Sequence, residues 1–472
     1  MSKKPMYLKR RGNSNLLFLL VFGLMLLFVY AVKQFLNSSE VNPAPSSQQP
    51  VVAKQIADSV FKGKVEEISS PKSGIDAYYM YQDGGLISIS FIFSQAGSSY
   101  EPTGREGIAN IAAATLKEGA GWWSAKELRN LLGSSGIKIS FSASRDDFTG
   151  NISFPNSQAE NAVKYLREML LNPNFEDKYV NAAKDVAIRA VEAQKEDPST
   201  ELMLEFNQKL FGDFAYGRNP LGNIDSIKYI NRRALKDFVR SQLGKNKLFV
   251  GIVGNISRDN AAQMIEDIFG RLPTIASNDL PRPDINWQFS PMHISRDIPQ
   301  NIALYAAPGT CRQCADFYPL YIANYILGGA GLNSRLNQTM REQQNLTYGV
   351  SSWLDLNDQA DILMASFSAT TANMPEARRL FAEIWQRAAT EGFTAEELQQ
   401  AQNHLVASHN LRFSSTMGIA EMLVYMQKNK LGTDFLNQRN RMVRDVTLEQ
   451  LNTVAKKYFS ADLVKAEIGI NN

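Results

Sequence analysis

The sequence contains few side chains that can bind metals. Among 472 residues it has three histidines, His293, His404 and His409, and two cysteines. His404 and His409 are five positions apart, so on one helix they point about 140° away from each other and do not converge on one ion. We therefore expect surface or interface histidines rather than a zinc site built from them.

A strong charge of one sign is also missing. The formal net charge is +3, 21% of residues are charged, and no basic block lies outside the N-terminus. Because nucleic-acid binding requires a basic patch or stripe, we expect no nucleic-acid partner. With 44% hydrophobic residues, the chain has an ordinary globular composition that can bury large cores.

One long apolar run is present near the N-terminus. Residues 16–32 carry no charge and are just long enough to cross a bilayer, and basic residues but no acid precede them. The positive-inside rule therefore predicts a cytoplasmic tail (1–14), a transmembrane signal anchor (15–33) and a Ser- and Pro-rich linker (34–64). We expect a bacterial inner-membrane protein with its bulk in the periplasm, and a cleavable signal peptide is the alternative reading of the run.

The rest of the sequence repeats itself with an offset of about 215 residues. Residues 87–93 and 301–307 are strand-like, and a helix containing Ile-Ala-Asn follows each of them. The repeat predicts two duplicated domains, 65–280 and 281–472, that meet at the proline-rich residues 281–283. Each should be an α+β layer, with a mostly antiparallel sheet backed by helices on one face.

The first repeated helix resembles a metal-binding helix that has lost its ligands. Residues 107–116 read Gly-Ile-Ala-Asn-Ile-Ala-Ala-Ala-Thr-Leu, and the surrounding sequence is similar to the pitrilysin/insulinase family of zinc peptidases. The family signature on this helix is His-x-x-Glu-His, in which both His bind zinc and the Glu polarises the bound water. Here Asn110, Ala113 and Ala114 occupy those three positions.

The third zinc ligand of the family is a Glu on a later helix. It corresponds to Ala190, or to Glu192 if the register shifts by two residues. One carboxylate does not make a zinc site, so the resemblance implies that this chain binds no metal or other cofactor. The resemblance extends over about residues 65–472 and includes the loop at 210–222.

In the second half, the resemblance is carried by a glycine-rich segment and by an Arg and a Tyr. The family loop that matches Gly328, Gly329 and Gly331 contacts the incoming peptide, and a glycine run that merely ends a helix is the alternative. The family Arg and Tyr match Arg341 and Tyr348, and they donate hydrogen bonds to the substrate carbonyl beside the scissile bond. A solvated Arg and a half-buried sheet Tyr are the alternative for this pair.

A short amphipathic helix should position the Arg of this pair. Leu332, Leu336 and Met340 recur at i, i+4 and i+8, which predicts a helix that begins at about Asn333. Asn345 is suited to the left-handed conformation that ends such a helix. The Arg then lies near the last turn, just before the chain resumes a strand.

Two pairs of residues allow several interpretations. Cys311 and Cys314 lie at a strand-to-helix junction, and their spacing is compatible with a local disulfide, with free thiols, or with redox or metal chemistry. Trp122 and Trp123 follow the first repeated helix. We expect them to pack in the core or in an interface, although they could also line a chamber.

The resemblance implies a protein without autonomous proteolytic activity. The family fold forms one half of a clam-like chamber, and we predict a membrane-anchored, non-catalytic subunit of a heterodimeric zinc metallopeptidase. This subunit would supply Arg341, Tyr348 and part of the chamber wall. Its partners would be an active subunit of the same family, which carries the zinc, and a peptide or unfolded polypeptide substrate. The alternative is an inert scaffold or a peptide-binding homodimer of the same fold.

Overall fold

Each half of the chain folds around its own β-sheet. The computed structural model describes residues 63–276 and 278–470. Its strands are β1 (Val65–Ser69), β2 (Asp76–Tyr81), β3 (Leu86–Ser94), β4 (Lys138–Ala143), β5 (Asp147–Pro155), β6 (Leu248–Gly254), β7 (Met292–Ser295), β8 (Asn301–Pro308), β9 (Gly349–Leu356), β10 (Asp361–Ala369) and β11 (Val464–Gly469). The strands predicted at 87–93 and 301–307 are β3 and β8.

Fifteen helices in the described residues accompany the strands. They are α1 (Ile108–Thr115), α2 (Ala125–Ser134), α3 (Ala159–Leu171), α4 (Asp177–Gln194), α5 (Pro198–Phe211), α6 (Ile224–Tyr229), α7 (Arg232–Gln242), α8 (Arg258–Phe269), α9 (Phe317–Asn324), α10 (Arg335–Asn337), α11 (Met374–Thr390), α12 (Ala395–Asn410), α13 (Thr416–Lys428), α14 (Phe435–Arg444) and α15 (Leu448–Phe459). Two π-helical turns, Tyr325–Gly329 and Gln338–Gln343, extend α9 and α10.

The two sheets have related strand orders. The first is β1-β2-β6-β3-β5-β4, and the second is β7-β11-β8-β10-β9. The pairs β2–β6 and β7–β11 are parallel, and all other pairs of these two sheets are antiparallel. The architecture is therefore mixed α/β with two mostly antiparallel sheets, as the repeat predicts.

The expectation that helices back only one face of each sheet is wrong. Helix α13 of the second half packs on the first sheet, where Ile419 and Leu423 are buried against Tyr78 and Met80. In the same way, α5 of the first half contributes an apolar cluster beneath the second sheet. The cause is that both faces of each sheet carry apolar side chains, so each face needs cover.

Charged side chains also connect the two halves. The ammonium of Lys428 on α13 forms ion pairs with Asp147 of β5 and, at 3.0 Å, with Asp358. The neighbouring carboxylate of Asp146 accepts a hydrogen bond of 3.0 Å from the backbone N–H of Asp358. The ion pair of Lys428 with Asp147 and the hydrogen bond to Asp146 offset part of the cost of burying these two carboxylates.

The predicted cytoplasmic tail, signal anchor and nearly all of the predicted linker lie outside the described residues. Within the part of the chain that the structure describes, no helix is both long and apolar enough to span a membrane. The predicted membrane association therefore depends on residues 16–32, whose composition is its only support.

Candidate functional site

Helix α1 begins at a glycine that its surroundings require. Gly107, the N-cap, has a φ of 95°, in the left-handed region that favours glycine. A Cβ at this position would lie 2.5 Å from the carbonyl oxygen of Leu221. Ile108 and Ile111 are buried in the first core, so the helix is fixed both by its start and by its inner face.

The carboxylate of Glu101 caps the N-terminus of α1. It accepts hydrogen bonds of 2.8 Å from the backbone N–H groups of Gly107 and Ala109. Burial raises the pKa of Glu101 to about 8, while these two hydrogen bonds act in the opposite direction. The sequence interpretation missed this residue, although an acidic residue shortly before a helix is a recognised cap signal.

The helix places the former ligand positions as the family signature requires, but with side chains that cannot bind a metal. Asn110 is partly exposed, Ala114 is exposed, and both lie on one face because they are four residues apart. Ala113 is buried. Ala190 is partly buried on α4, which packs against α1.

These residues do not fit a zinc ion. Methyl groups donate no electron pair, and a carboxamide is a poor ligand for zinc compared with imidazole, thiolate or carboxylate. Across residues 63–276 and 278–470, no group of three His, Cys, Asp or Glu side chains could hold a metal ion.

Hydrogen bonds join the two helices where the family has a metal. The side-chain amide of Asn110 donates to the carbonyl oxygen of Pro220 at 2.8 Å. The adjacent Asn219 donates from Nδ2 to Oε1 of Gln194, at the end of α4, at 2.6 Å. The loop at 217–222 thus links α1 to α4 through side-chain amides, and such bonds are neutral and need no ion.

Arg341 and Tyr348 both lie in the segment that connects α10 to β9. Arg341 belongs to the π-helical turn Gln338–Gln343, and its side chain is 43% exposed. Its Nε lies 3.5 Å from Oε1 of Glu342, a solvated contact that leaves the guanidinium accessible. Tyr348 is 67% exposed. Both donors can therefore reach a ligand without any rearrangement of the core.

The helix predicted in this region forms, with two differences. It begins at Arg335. Its second part is a π-helix, in which the backbone hydrogen bonds join residues five positions apart. Leu336 and Met340 are fully buried, whereas Leu332 is 54% exposed and precedes the helix, so its assignment to the apolar stripe is wrong. Asn345 has a φ of 53°, which confirms the left-handed stop.

The glycine-rich segment contains one buried glycine and two partly exposed glycines. Gly328 is buried and packs against Ser352 of β9, while Gly329 and Gly331 are partly exposed. The last of these has a φ of 57°. Only Gly329 and Gly331 are thus placed to meet another molecule.

The two sheets differ at their corresponding edges. The amide side chain of Asn337 accepts from the N–H of Val350 at 3.4 Å and donates to its carbonyl at 2.5 Å, and Asn324 donates to the carbonyl of Ser352 at 3.2 Å. These two side chains cover the outer edge of β9 at Val350 and Ser352. No hydrogen bond between described residues reaches the outer edge of β4, which lies beside α1. The edge of β4 therefore offers free backbone groups to an added strand.

The cysteines hold a short loop that buries an arginine. Cys311 and Cys314 form a disulfide. Between them, Arg312 lies over the rings of Phe317 at 4.1 Å, Tyr318 at 5.2 Å and Phe435 at 5.4 Å. Its Nε also donates to the hydroxyl of Tyr425 on α13 at 2.9 Å. This loop therefore anchors α13 and α14, which cover the first sheet.

The structure corrects the surface expectation for one histidine and separates the two tryptophans. His404 is exposed and stacks on Tyr325 at 5.5 Å, but His409 is buried and makes an edge contact of 5.1 Å with Phe413, so it is not a surface residue. Trp123 packs on Tyr165 at 5.1 Å, whereas Trp122 is 86% exposed and belongs to no core. His293, on β7, contacts the carbonyl of Gly469 at 3.2 Å.

Similarity to known proteins agrees with this fold. Residues 86–222 match the family described as "Insulinase (Peptidase family M16)", and residues 229–405 match "Peptidase M16 inactive domain". The chain belongs to the M16 peptidase family. Asn110, Ala113 and Ala114 lie within the part of the chain that matches the insulinase family.

Individual proteins resemble the chain over most of its length. "Non-peptidase homolog YmxG" of Helicobacter pylori is 23% identical over 399 residues, which are 83% of this chain and 89% of that protein. The structure of a peptidase M16 inactive domain from Pseudomonas fluorescens has a TM-score of 0.81 and 23% identity, covering 86% of this chain and 98% of that one. The periplasmic protease PqqL of Escherichia coli has a TM-score of 0.76 and 15% identity, covering 94% of this chain and 50% of that one.

Proposed function

We propose that this M16 chain is the non-catalytic subunit of a heterodimeric zinc peptidase. The observation that carries the proposal is selective loss: the metal positions hold Asn110, Ala113, Ala114 and Ala190, while the fold around them is intact. Relatives named as a non-peptidase homolog and as an inactive domain support the inert part of the proposal.

Arg341 and Tyr348 would be this subunit's contribution to the shared site. The guanidinium and the phenol are exposed donors on an ordered connection, suited to hold a peptide carbonyl whose oxygen gains negative charge. The zinc, its activated water and the Glu base would come from the partner subunit. In this division of roles the present chain binds and orients the peptide and transfers no proton.

The open edge of β4 suits a peptide ligand. An extended peptide can add a strand to an exposed edge, where main-chain hydrogen bonds provide affinity for many sequences. Because Asn324 and Asn337 cover the corresponding edge of β9, the second sheet lacks such a site over that stretch. We expect the substrate to be an extended peptide or an unfolded polypeptide, bound in the periplasm by a protein anchored through residues 16–32.

Affinity purification of the full chain from its native host in mild detergent tests this function. The proposal predicts that an M16 subunit with an intact His-x-x-Glu-His signature co-purifies, and that stoichiometric zinc, measured by mass spectrometry, belongs to that subunit. Purification of the chain as a metal-free homodimer or within a non-proteolytic assembly would instead support the inert scaffold. Stoichiometric zinc bound to the chain itself would contradict both functions.

A further inference from the structure

The turn that follows α1 exposes the indole side chain of Trp122 to solvent. Trp122 is 86% exposed, although its neighbour Trp123 packs into the first core and the chain has five tryptophans in all. Exposed tryptophan is unusual on a surface that meets only water, because the indole is large and mostly apolar. Tryptophan is also among the residues that contribute most binding energy in protein interfaces.

Hydrogen bonds hold the backbone of this turn in place. Gly121, at its tip, has a φ of 56°, which glycine adopts without strain, and Ala120 and Trp123 exchange backbone hydrogen bonds of 3.0 and 3.1 Å across it. On its outer side, the N–H of Gly121 donates to the carbonyl of Asn172 at 2.9 Å. Nδ2 of Asn174 donates to the carbonyl of Trp123 at 2.9 Å. The backbone that carries Trp122 is thus held in place before binding, which lowers the entropy cost of ordering the turn.

A cleft of about 380 Å³ opens beside this turn. Its floor includes Leu171 and Val239, and two cations of α7, Lys236 and Arg240, line it. This volume falls within the range of about 300 to 1,000 Å³ that is usual for ligand pockets. All lining residues belong to the loops and helices of the first half, and none belongs to α1, α4, β4 or the Arg341 connection.

The two cations that line the cleft have no acidic partner among the described residues. Among the described residues, neither Lys236 nor Arg240 forms an ion pair. The one carboxylate of the lining, Glu168, accepts a hydrogen bond of 2.9 Å from Asn172 and lies 3.9 Å from Nε of Arg167, so its charge is already balanced. The cleft therefore combines a net positive charge with an apolar floor and an exposed indole.

We propose that this cleft binds an acidic segment of another polypeptide. Carboxylates of the segment would pair with Lys236 and Arg240, because a guanidinium matches a carboxylate in a two-pronged geometry. An apolar side chain next to them would cover the indole of Trp122 and the floor. The site is separate from the proposed peptide site at α1, so its failure would leave the proposed function intact.

Fluorescence anisotropy tests the proposal with the full chain in a neutral detergent. The probe is a fluorescein-labelled peptide in which Asp and Glu alternate with Leu, and the reference is the same peptide with Asn and Gln. We expect saturable binding of the acidic peptide only, weakening as ionic strength rises. The double variant Lys236→Glu/Arg240→Glu should weaken binding by about tenfold or more, and Trp122→Ala by several-fold.

A matched control separates the cleft from overall charge. Arg233→Glu/Arg441→Glu makes the same charge change at two exposed positions outside the cleft, with side chains 93% and 81% exposed, and should leave binding almost unchanged. Equal loss in both double variants, or equal binding of the neutral peptide, would overturn the proposal. Binding of anionic lipid vesicles through Lys236 and Arg240 without binding of the acidic peptide would also overturn it.

Discussion

The side-chain amide of Asn110 donates a 2.8 Å hydrogen bond to the carbonyl oxygen of Pro220. The sequence resemblance assigns this position to a zinc-binding His of the family signature, and we propose that the bond between α1 and the loop takes the place of a bond between α1 and a metal. Asn219 continues the connection to Gln194 on α4. These hydrogen bonds connect α1 to α4 through the loop at 217–222 without an ion.

Removal of the Asn110 amide should lower stability. Asn110→Ala should reduce the free energy of unfolding by about 1 kcal/mol, because a partly buried hydrogen bond is lost and the carbonyl of Pro220 loses its partner. Urea denaturation followed by circular dichroism measures this. Asn181→Ala, at an exposed position of α4, is the control and should change little. Equal effects of the two substitutions would show that the bond contributes nothing.

Restoration of the ligands should restore metal binding. The variant Asn110→His/Ala114→His/Ala190→Glu should bind zinc, because α1 still places positions 110 and 114 on one face and α4 still packs against it. Isothermal titration measures the affinity, with the parent chain as the reference.

The double variant Asn110→His/Ala114→His distinguishes the two registers for the third ligand. If Ala190 is the ligand position, the double variant should bind zinc at least about tenfold more weakly than the triple variant, because it lacks one ligand. Equal affinities would show that Glu192 already serves, and the assignment of Ala190 would be wrong.

Arg312 should contribute more to stability than the disulfide around it. Arg312→Ala should lower the free energy of unfolding by about 2 to 3 kcal/mol, because three ring contacts and two hydrogen bonds to hydroxyl groups are lost. Cys311→Ser/Cys314→Ser should cost less, since the disulfide closes a loop of sequence separation 3. Chemical denaturation compares both with Arg441→Ala, an exposed control. The reverse order would contradict this role of Arg312.

The protonation of Glu101 should make stability fall with rising pH. Burial raises its pKa from 4.5 to about 8, so the folded chain binds this proton more tightly than the unfolded chain. The contribution is fully present below the unfolded value and is lost as the pH rises through about 8. The melting temperature of Glu101→Gln relative to wild type should therefore increase between about pH 5 and about pH 8.

Glu192→Gln is the control for this pH dependence, because Glu192 is exposed on α4. Its melting temperature should follow that of the wild type across the same range. The comparison concerns the pH slope, so a constant change caused by the new amide cancels. A Glu101→Gln curve parallel to the wild type would contradict the assignment.

The sequence predicts the strands of the two sheets better than it predicts which helices cover them. Strand-like runs and the internal repeat locate β3 and β8 and the two-sheet architecture, because alternation reports which strand face is buried. They do not reveal that α13 covers the first sheet. Its amphipathic pattern shows that it packs, but the partner is chosen by long-range contacts such as Glu421 with Asn151 and Lys428 with Asp147.

The site was predictable where it depends on local spacing. The positions of Asn110, Ala113 and Ala114 on one helix follow from the helical period. The hydrogen bond between α1 and the loop at 217–222 did not follow, because it requires two segments about 110 residues apart to meet. His409 was misjudged for a related reason: residue type predicts average burial, whereas a neighbouring ring decides the individual case.

Hydrolysis of a quenched-fluorescence peptide by the assembled pair tests the central claim most directly. The assay uses the full chain, alone and with its co-purified M16 subunit, and Arg441→Ala as the control. The account predicts no hydrolysis by the chain alone, zinc-dependent hydrolysis by the pair, and a loss of about 10²-fold or more in kcat/KM when the chain carries Arg341→Ala. Zinc-dependent hydrolysis by the chain alone, or a pair indifferent to Arg341→Ala, would contradict it.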